Sequence, residues 1–178
     1  LWAPLLGAPT DTPAKDSFET GLDRAADSYA TVKAMGTLLD AGPDNAVKKN
    51  IRPILEGLDR SSSGLPREKR EAFIARRLPA LTALAAGLTT QTAPKEVLSR
   101  IQNGTAYLNN RANLWEKSRD LSETVLSYDP ENADALLNRS NANYGLKEFK
   151  AAFVDADKAA KLGMVATASQ VAAVKKAP

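Results

Sequence analysis

The chain contains neither cysteine nor histidine among its 178 residues. It therefore cannot form disulfides, thiolate nucleophiles, zinc sites with Cys or His ligands, or histidine acid–base relays. It also has no glycine-rich phosphate loop, because its ten glycines are scattered. Its carboxylates lie among Lys and Arg in helical stretches, which is typical of solvated positions. The sequence predicts no enzyme, no catalytic residue, no metal site and no cofactor.

Aromatic residues are scarce, at 6%, whereas hydrophobic residues make up 43% and charged residues 25%. Alanine is abundant and no stretch is typical of successive strands, so we predict an all-α protein. No apolar run approaches the ~18–20 residues that span a bilayer, so we expect a soluble chain without direct membrane insertion. The net charge of +3 is mild and evenly mixed, which argues against nucleic acid as a partner.

Residues 1–12 are apolar and interrupted by proline and glycine, which predicts an extended arm. We expect Trp2, Leu5 and Leu6 to be its contact residues, docking either on the protein's own helices or on a partner. The chain begins at Leu1 rather than Met, which suggests a processed N-terminus, although a trimmed sequence would look the same. The expected compartment is an exported or organellar one, such as the periplasm or thylakoid lumen, and the cytoplasm stays open.

Three long helices are predicted within residues 13–90. The first is expected from about Pro13 to Ala41, where apolar residues recur at spacings of three and four. Asp44 is the predicted cap of the second helix, and the third is expected to start near Pro66. Together they predict an antiparallel bundle, which a fourth helix from the C-terminal part could complete.

The sequence pattern of residues 95–174 predicts two helix hairpins, followed by a helix that covers the exposed end of the second. The predicted helices are Lys95–Asn110 paired with Leu114–Ser127, Ala133–Gly145 paired with Glu148–Leu162, and the final Met164–Val174. The hairpins repeat one another with a period of about 34 residues. The matched pairs are Ala106 with Ser140, Trp115 with Phe149, Ser118 with Ala152, Val125 with Ala159, and Tyr128 with Leu162. Small side chains at Ser140, Ala152 and Ala159 should let neighbouring helices approach to ~8–10 Å.

Residues from about 99 to 163 resemble two consecutive tetratricopeptide repeats. The residues that carry the resemblance best are those of the second repeat: Asn138-Arg139-Ser140, Phe149, Ala152, the run 155–159 and Leu162. The first repeat departs from the family pattern at Gln102, where a large apolar residue is usual, and at Ser122. The N-terminal half carries no such resemblance.

The resemblance implies a concave groove lined by the first helix of each repeat. Matched by position, the groove residues are Asn103, Tyr107 and Asn110 from the first repeat and Asp134, Asn138, Asn141 and Tyr144 from the second. Asn and Tyr side chains suit hydrogen bonds to an extended peptide, although ordinary polar surface residues would give the same pattern. Some family members grip a C-terminal carboxylate through Lys and Asn. This chain has Asn103 and Tyr107 at those positions, so no such clamp is expected.

These features favour a non-enzymatic assembly subunit that holds a partner protein through the groove and the apolar arm. One alternative is an extrinsic stabilising subunit on the lumenal or periplasmic side of a large membrane complex, because the predicted architecture resembles the small helical extrinsic proteins of photosystem II. Its partner would then be a membrane-embedded complex. Another alternative is a co-chaperone or assembly factor that binds its clients transiently.

Overall fold

The structure, a computed structural model, describes residues 28–42 and 44–164. These residues form seven α-helices and no strand, which confirms the all-α prediction. In chain order the helices are α1 (Ser28–Ala41), α2 (Ala46–Ser62), α3 (Arg67–Ala86), α4 (Lys95–Arg111), α5 (Trp115–Tyr128), α6 (Ala133–Gly145) and α7 (Phe149–Lys161).

The helices of the two predicted hairpins begin and end within about one residue of their predicted bounds. Helix α1 ends at Ala41, as predicted, and α3 begins at Arg67, directly after Pro66. The predicted start of the first helix at Pro13 and the predicted final helix beyond Met164 lie outside the described residues.

The prediction that Asp44 caps α2 is wrong, because the cap is Asn45. The backbone of Asn45 is extended, with φ −148° and ψ 176°, and its side chain accepts a hydrogen bond from the Lys48 backbone N–H at 3.0 Å. Asp44 lies one residue too early to reach that N–H. It pairs with the Lys48 ammonium at 3.0 Å instead, and this hydrogen bond and charge lower the pKa of the Asp44 carboxyl.

Helices α1 to α4 form a closed four-helix arrangement. Each packs against the next along the chain, and α4 returns to pack against α1. Helix α4 is thus the fourth helix that the three N-terminal ones needed to complete a bundle. It also packs against α5 and α6, and α6 packs in turn against α5 and α7. Helix α4 therefore belongs to the bundle and to the first hairpin at once.

One apolar cluster runs from Val32 on α1 to Leu121 on α5 without a break at residues 90–95. The largest side chains enclosed in it include Ile51, Leu78 and Ile101, each essentially without exposed surface. Burial of this kind is the main stabilising contribution, at roughly 25 cal/mol per Å² of apolar surface. The predicted bundle and the predicted repeat region therefore share one apolar core.

Small residues sit where the hairpins close, as predicted. Ser140, Ala152 and Ala159 are fully buried, and the Ser140 hydroxyl donates to the Ala152 carbonyl at 2.6 Å. That bond joins α6 to α7 and requires their axes to lie close together. At the other end of α6, the Trp115 ring lies against Gly145, which links the first hairpin to the second.

Candidate functional site: the groove face of α4 and α6

The first helices of the two hairpins, α4 and α6, pack against each other and carry the residues predicted to line the groove. Asn103, Tyr107 and Asn110 follow one another at intervals of four and three, so they share one face of α4. Asp134, Asn138 and Asn141 do the same on α6. We call these six residues the groove face.

Helix α1 packs against another side of α4. At Gly104 an added Cβ would lie 2.7 Å from the Met35 sulfur, so the Met35 side chain of α1 lies directly against α4 there. Asn103 lies next to Gly104 on the helix, on the flank that meets α6. Between these flanks α4 presents a narrow polar strip with exposed Glu96 and Arg100.

Three asparagines of the groove face hold α4 to α6. The Asn138 amide donates to the Asn103 carbonyl at 3.1 Å, and the Asn110 amide donates to the Asn138 carbonyl at 3.0 Å. The Asn103 amide donates to the side-chain oxygen of Asn132, the N-cap residue of α6, at 2.9 Å. Their amide nitrogens therefore have a structural role that the sequence pattern did not predict.

The side-chain oxygens of Asn103, Asn110 and Asn141 are buried and accept no hydrogen bond from any residue that the structure describes. These residues are only 8%, 0% and 9% exposed. Reversing the amide of Asn103 or Asn110 would not help, because an oxygen would then face the oxygen its nitrogen now binds. A buried acceptor without a donor costs about 1–3 kcal/mol. Most buried polar groups in folded proteins are satisfied, so three on one face is unusual.

The other predicted contact residues have different surroundings. Asp134 is exposed, and Tyr107 is half-buried between Asn103 and Asn110 in the sequence. Tyr144 is only 7% exposed, and its ring centroid lies 4.9 Å from that of Phe149 at the α6–α7 turn. Tyr144 lies three residues after Asn141, and its ring is covered where it meets Phe149. The arm residues Trp2, Leu5 and Leu6 lie outside the described residues.

A second polar cluster, on the α3 side of α4, was not predicted from the sequence. The Gln102 amide donates to the carbonyl of Ala85, in the last turn of α3, at 3.0 Å and to that of Leu88, just beyond the helix, at 3.3 Å. The Tyr128 hydroxyl donates to the Gln102 oxygen at 2.8 Å. The only signal in the sequence was that Gln102 departs from the repeat pattern. It does so because a helix end, rather than another repeat, lies against it.

The face of α6 opposite Asn141 borders an open cleft of about 890 Å³ between α5 and α7. Arg139 and Asp155 form a two-pronged ion pair there, with both N–O distances at 2.7 Å. The hydrogen bond from Arg139 to Asp155 raises the pKa of the guanidinium. Asn143 is 4% exposed and lines this cleft, and its side-chain oxygen is also without a donor. Its amide nitrogen donates to Asp155 at 3.5 Å. Asn143 therefore offers a control of the same residue type for Asn141, on the other side of the same helix.

Alkaline pH should destabilise the fold through two tyrosines. Burial, with a smaller effect of the Asp129 charge, raises the pKa of Tyr128 to about 12, and burial raises the pKa of Tyr144 to about 12. The folded state therefore holds these protons more tightly than the unfolded state, where the pKa is about 10. Their contribution to stability is complete below about pH 10 and is lost as the pH rises towards 12.

Urea unfolding of the wild-type chain and of Tyr128→Phe, compared between pH 8 and 11.5, tests this linkage. We expect the free energy of unfolding of the variant to fall less steeply above about pH 10. The two proteins contain the same lysines, so a difference between their stability curves is due to Tyr128 alone. Parallel curves would contradict the assigned pKa.

No family model, curated protein or solved structure matches the chain. Among residues 28–42 and 44–164, no helix is long and apolar enough to cross a membrane. The same residues contain no group of three or more carboxylates arranged to hold a metal ion.

Proposed function

We propose that the chain is a non-enzymatic protein-binding subunit whose groove face holds a segment of another protein. The observation that carries this proposal is the set of three buried amide oxygens, on Asn103, Asn110 and Asn141, that lack a donor among residues 28–42 and 44–164. A partner that supplies N–H groups would remove the cost of leaving them unpaired, which is about 1–3 kcal/mol each.

The spacing of these acceptors suits an extended segment. Asn103 and Asn110 are two helical turns apart, about 10 Å along α4. An extended chain covers this distance in about three residues, so backbone or side-chain donors can meet both oxygens in turn. Asn141, on the neighbouring helix α6, provides a third acceptor across the groove.

Two sequence features support the same proposal. The resemblance of residues 99–163 to tetratricopeptide repeats favours partner binding at the first helices of the hairpins. The apolar arm of residues 1–12 is proposed as a second contact with the partner, through Trp2, Leu5 and Leu6. Binding at two places would strengthen the association beyond what either contact provides.

Affinity purification with matched variants tests the groove. The variants are Asn141→Ala and Asn143→Ala, which change residues of the same type on the same helix. Positions two apart on a helix point to roughly opposite sides, so only Asn141 borders the groove. We expect Asn141→Ala to weaken retention of the co-purifying protein about tenfold and Asn143→Ala to leave it unchanged, because one hydrogen bond is worth about 1–1.5 kcal/mol.

Helix content and urea midpoints of both variants would show that each still folds. The proposal is wrong if a protein co-purifies reproducibly and both variants retain it like the wild type. Equal loss from both variants would indicate a contact outside the groove face. Asn138→Ala is unsuitable for this purpose, because it removes a hydrogen bond between α4 and α6.

A further inference from the structure

A surface cavity of about 590 Å³ lies where the start of α1 meets α3 and the end of α4. Its apolar wall is formed by Ala72, Ile74 and Ala75 of α3 and by Leu108 and Ala112 at the end of α4. Protein interiors leave few voids larger than a water molecule, so a space of this size is not a packing defect. It can receive several side chains of an incoming segment.

The first described residue of α1, Ser28, also lines this cavity. Its backbone N–H and its hydroxyl donate to the two carboxylate oxygens of Glu71 on α3, at 3.1 and 2.5 Å. The chain therefore passes into α1 at the edge of the cavity, and Glu71 holds it there. The segment directly before Ser28 starts beside the apolar wall.

The charge of the segment before Ser28 complements that of α3. Residues 1–27 contain five carboxylates and two cations, which gives a net charge of −3. Helix α3 contains five cations and two carboxylates, which gives a net charge of +3. Individual cations such as Arg67 and Arg70 already have interactions, so the attraction comes from the charge of the helix as a whole. This charge favours an acidic segment beside α3.

The apolar residues of the segment are spaced to use the cavity. The fifteen residues before Ser28 contain two large apolar side chains, Phe18 and Leu22. The residue after each of them is a carboxylate, Glu19 and Asp23 respectively. Adjacent residues of a helix point about 100° apart, so an apolar side chain can enter the cavity while the carboxylate after it lies at the rim.

The segment is also long enough to reach the apolar wall. Leu22 is six residues before Ser28, which is about 9 Å along a helix and at most about 20 Å along an extended chain. Phe18 is one helical turn further away. Both side chains can therefore reach a cavity that Ser28 itself lines.

We infer that residues 13–27 of this chain dock in the cavity, with Phe18 and Leu22 against its apolar wall and Glu19 and Asp23 towards α3. This inference does not depend on the proposed function. It bears on that function because a docked segment fixes the point from which the apolar arm extends.

Labelling of an introduced thiol tests the inference, because the chain contains no cysteine. Ala75→Cys places one thiol in the cavity, and the control Ala151→Cys places one in the open cleft between α5 and α7. Each is combined, in the full chain, with Phe18→Asp and Leu22→Asp, which remove the apolar contacts. We expect the two Asp substitutions to speed the reaction of the Ala75→Cys thiol with a maleimide at least about tenfold. The Ala151→Cys thiol should change less than about twofold.

Charge reversal tests the electrostatic part of the docking. Glu19→Lys together with Asp23→Lys should speed labelling of the Ala75→Cys thiol about threefold at low salt. The effect should shrink in about 1 M salt, where the screening length falls to about 3 Å. The Ala151→Cys thiol again serves as the control.

The inference is overturned if the Ala75→Cys thiol reacts equally fast with and without Phe18→Asp and Leu22→Asp. Equal acceleration of both thiols would also reject it, because the segment would then stabilise the whole fold without occupying the cavity. Protection that rises with protein concentration would make a second copy the occupant and would reject it too. None of these outcomes affects the groove test, which depends on Asn141→Ala and Asn143→Ala.

Discussion

Gly145→Ala is expected to destabilise the protein by about 2 kcal/mol or more, although alanine is the better helix former. A Cβ at position 145 would lie 2.7 Å from Cγ of Trp115 and nearer still to Cδ2 and Cε2 of the same ring. The ring is rigid and cannot bend away, so the helix or the whole indole must shift. Overpacking of this kind costs about 1–3 kcal/mol or more, which outweighs the roughly 1 kcal/mol gained in helix propensity.

Gly57→Ala is the control, because an added Cβ at Gly57, inside α2, has no atom within 4 Å, whereas Gly145 is the last residue of α6. It should stabilise the protein by about 0.5–1 kcal/mol. The two substitutions are chemically identical, so opposite signs in urea unfolding would isolate the contact with Trp115. In a Trp115→Leu background the cost of Gly145→Ala should largely disappear. A stabilising effect of Gly145→Ala in the wild-type chain would show that the indole does not lie where described.

Gln102→Leu is expected to cost about 3 kcal/mol despite its nearly unchanged volume. Gln102 is fully buried, and its side chain binds the Ala85 and Leu88 carbonyls and the Tyr128 hydroxyl. Leucine fills the space but can neither donate nor accept, so these groups lose a partner in the interior. Each such loss costs about 1–3 kcal/mol when water cannot replace the partner.

A double-mutant cycle that combines Gln102→Leu with Tyr128→Phe distinguishes lost hydrogen bonds from poor packing as the cause of the destabilisation. Removing the tyrosine hydroxyl in the Gln102→Leu background should cost little, because that hydroxyl has already lost its acceptor. In the wild-type background Tyr128→Phe should cost about 1 kcal/mol or more, since it leaves the Gln102 oxygen unpaired. Strictly additive effects would mean that the hydrogen bond at 2.8 Å contributes nothing measurable.

The helices of the C-terminal half could be predicted closely because the sequence marks their ends. Asp129-Pro130 and Gly163 interrupt the apolar pattern, and small residues such as Ser140 and Ala152 fix which faces meet. These signals are local, so one sequence is enough to read them. The cap of α2 was misplaced by one residue because Asp44 and Asn45 are both good caps, and only the backbone conformation decides between them.

The candidate site could be predicted only as a set of positions on two helix faces. Helical periodicity placed Asn103, Asn110, Asn138 and Asn141 on the faces of α4 and α6 that meet at the groove. It could not tell which amide nitrogens would be used between helices or which oxygens would stay unpaired. Those outcomes depend on the offset between α4 and α6, which is set by contacts far apart in the sequence. Nor could periodicity show that the ring of Tyr144 would pack against Phe149.

The seventeen residues of α4 complete the four-helix arrangement and also form the first helix of the first hairpin. Cleavage of the chain between residues 89 and 94 would therefore expose apolar side chains on both fragments, and we expect neither fragment to fold alone.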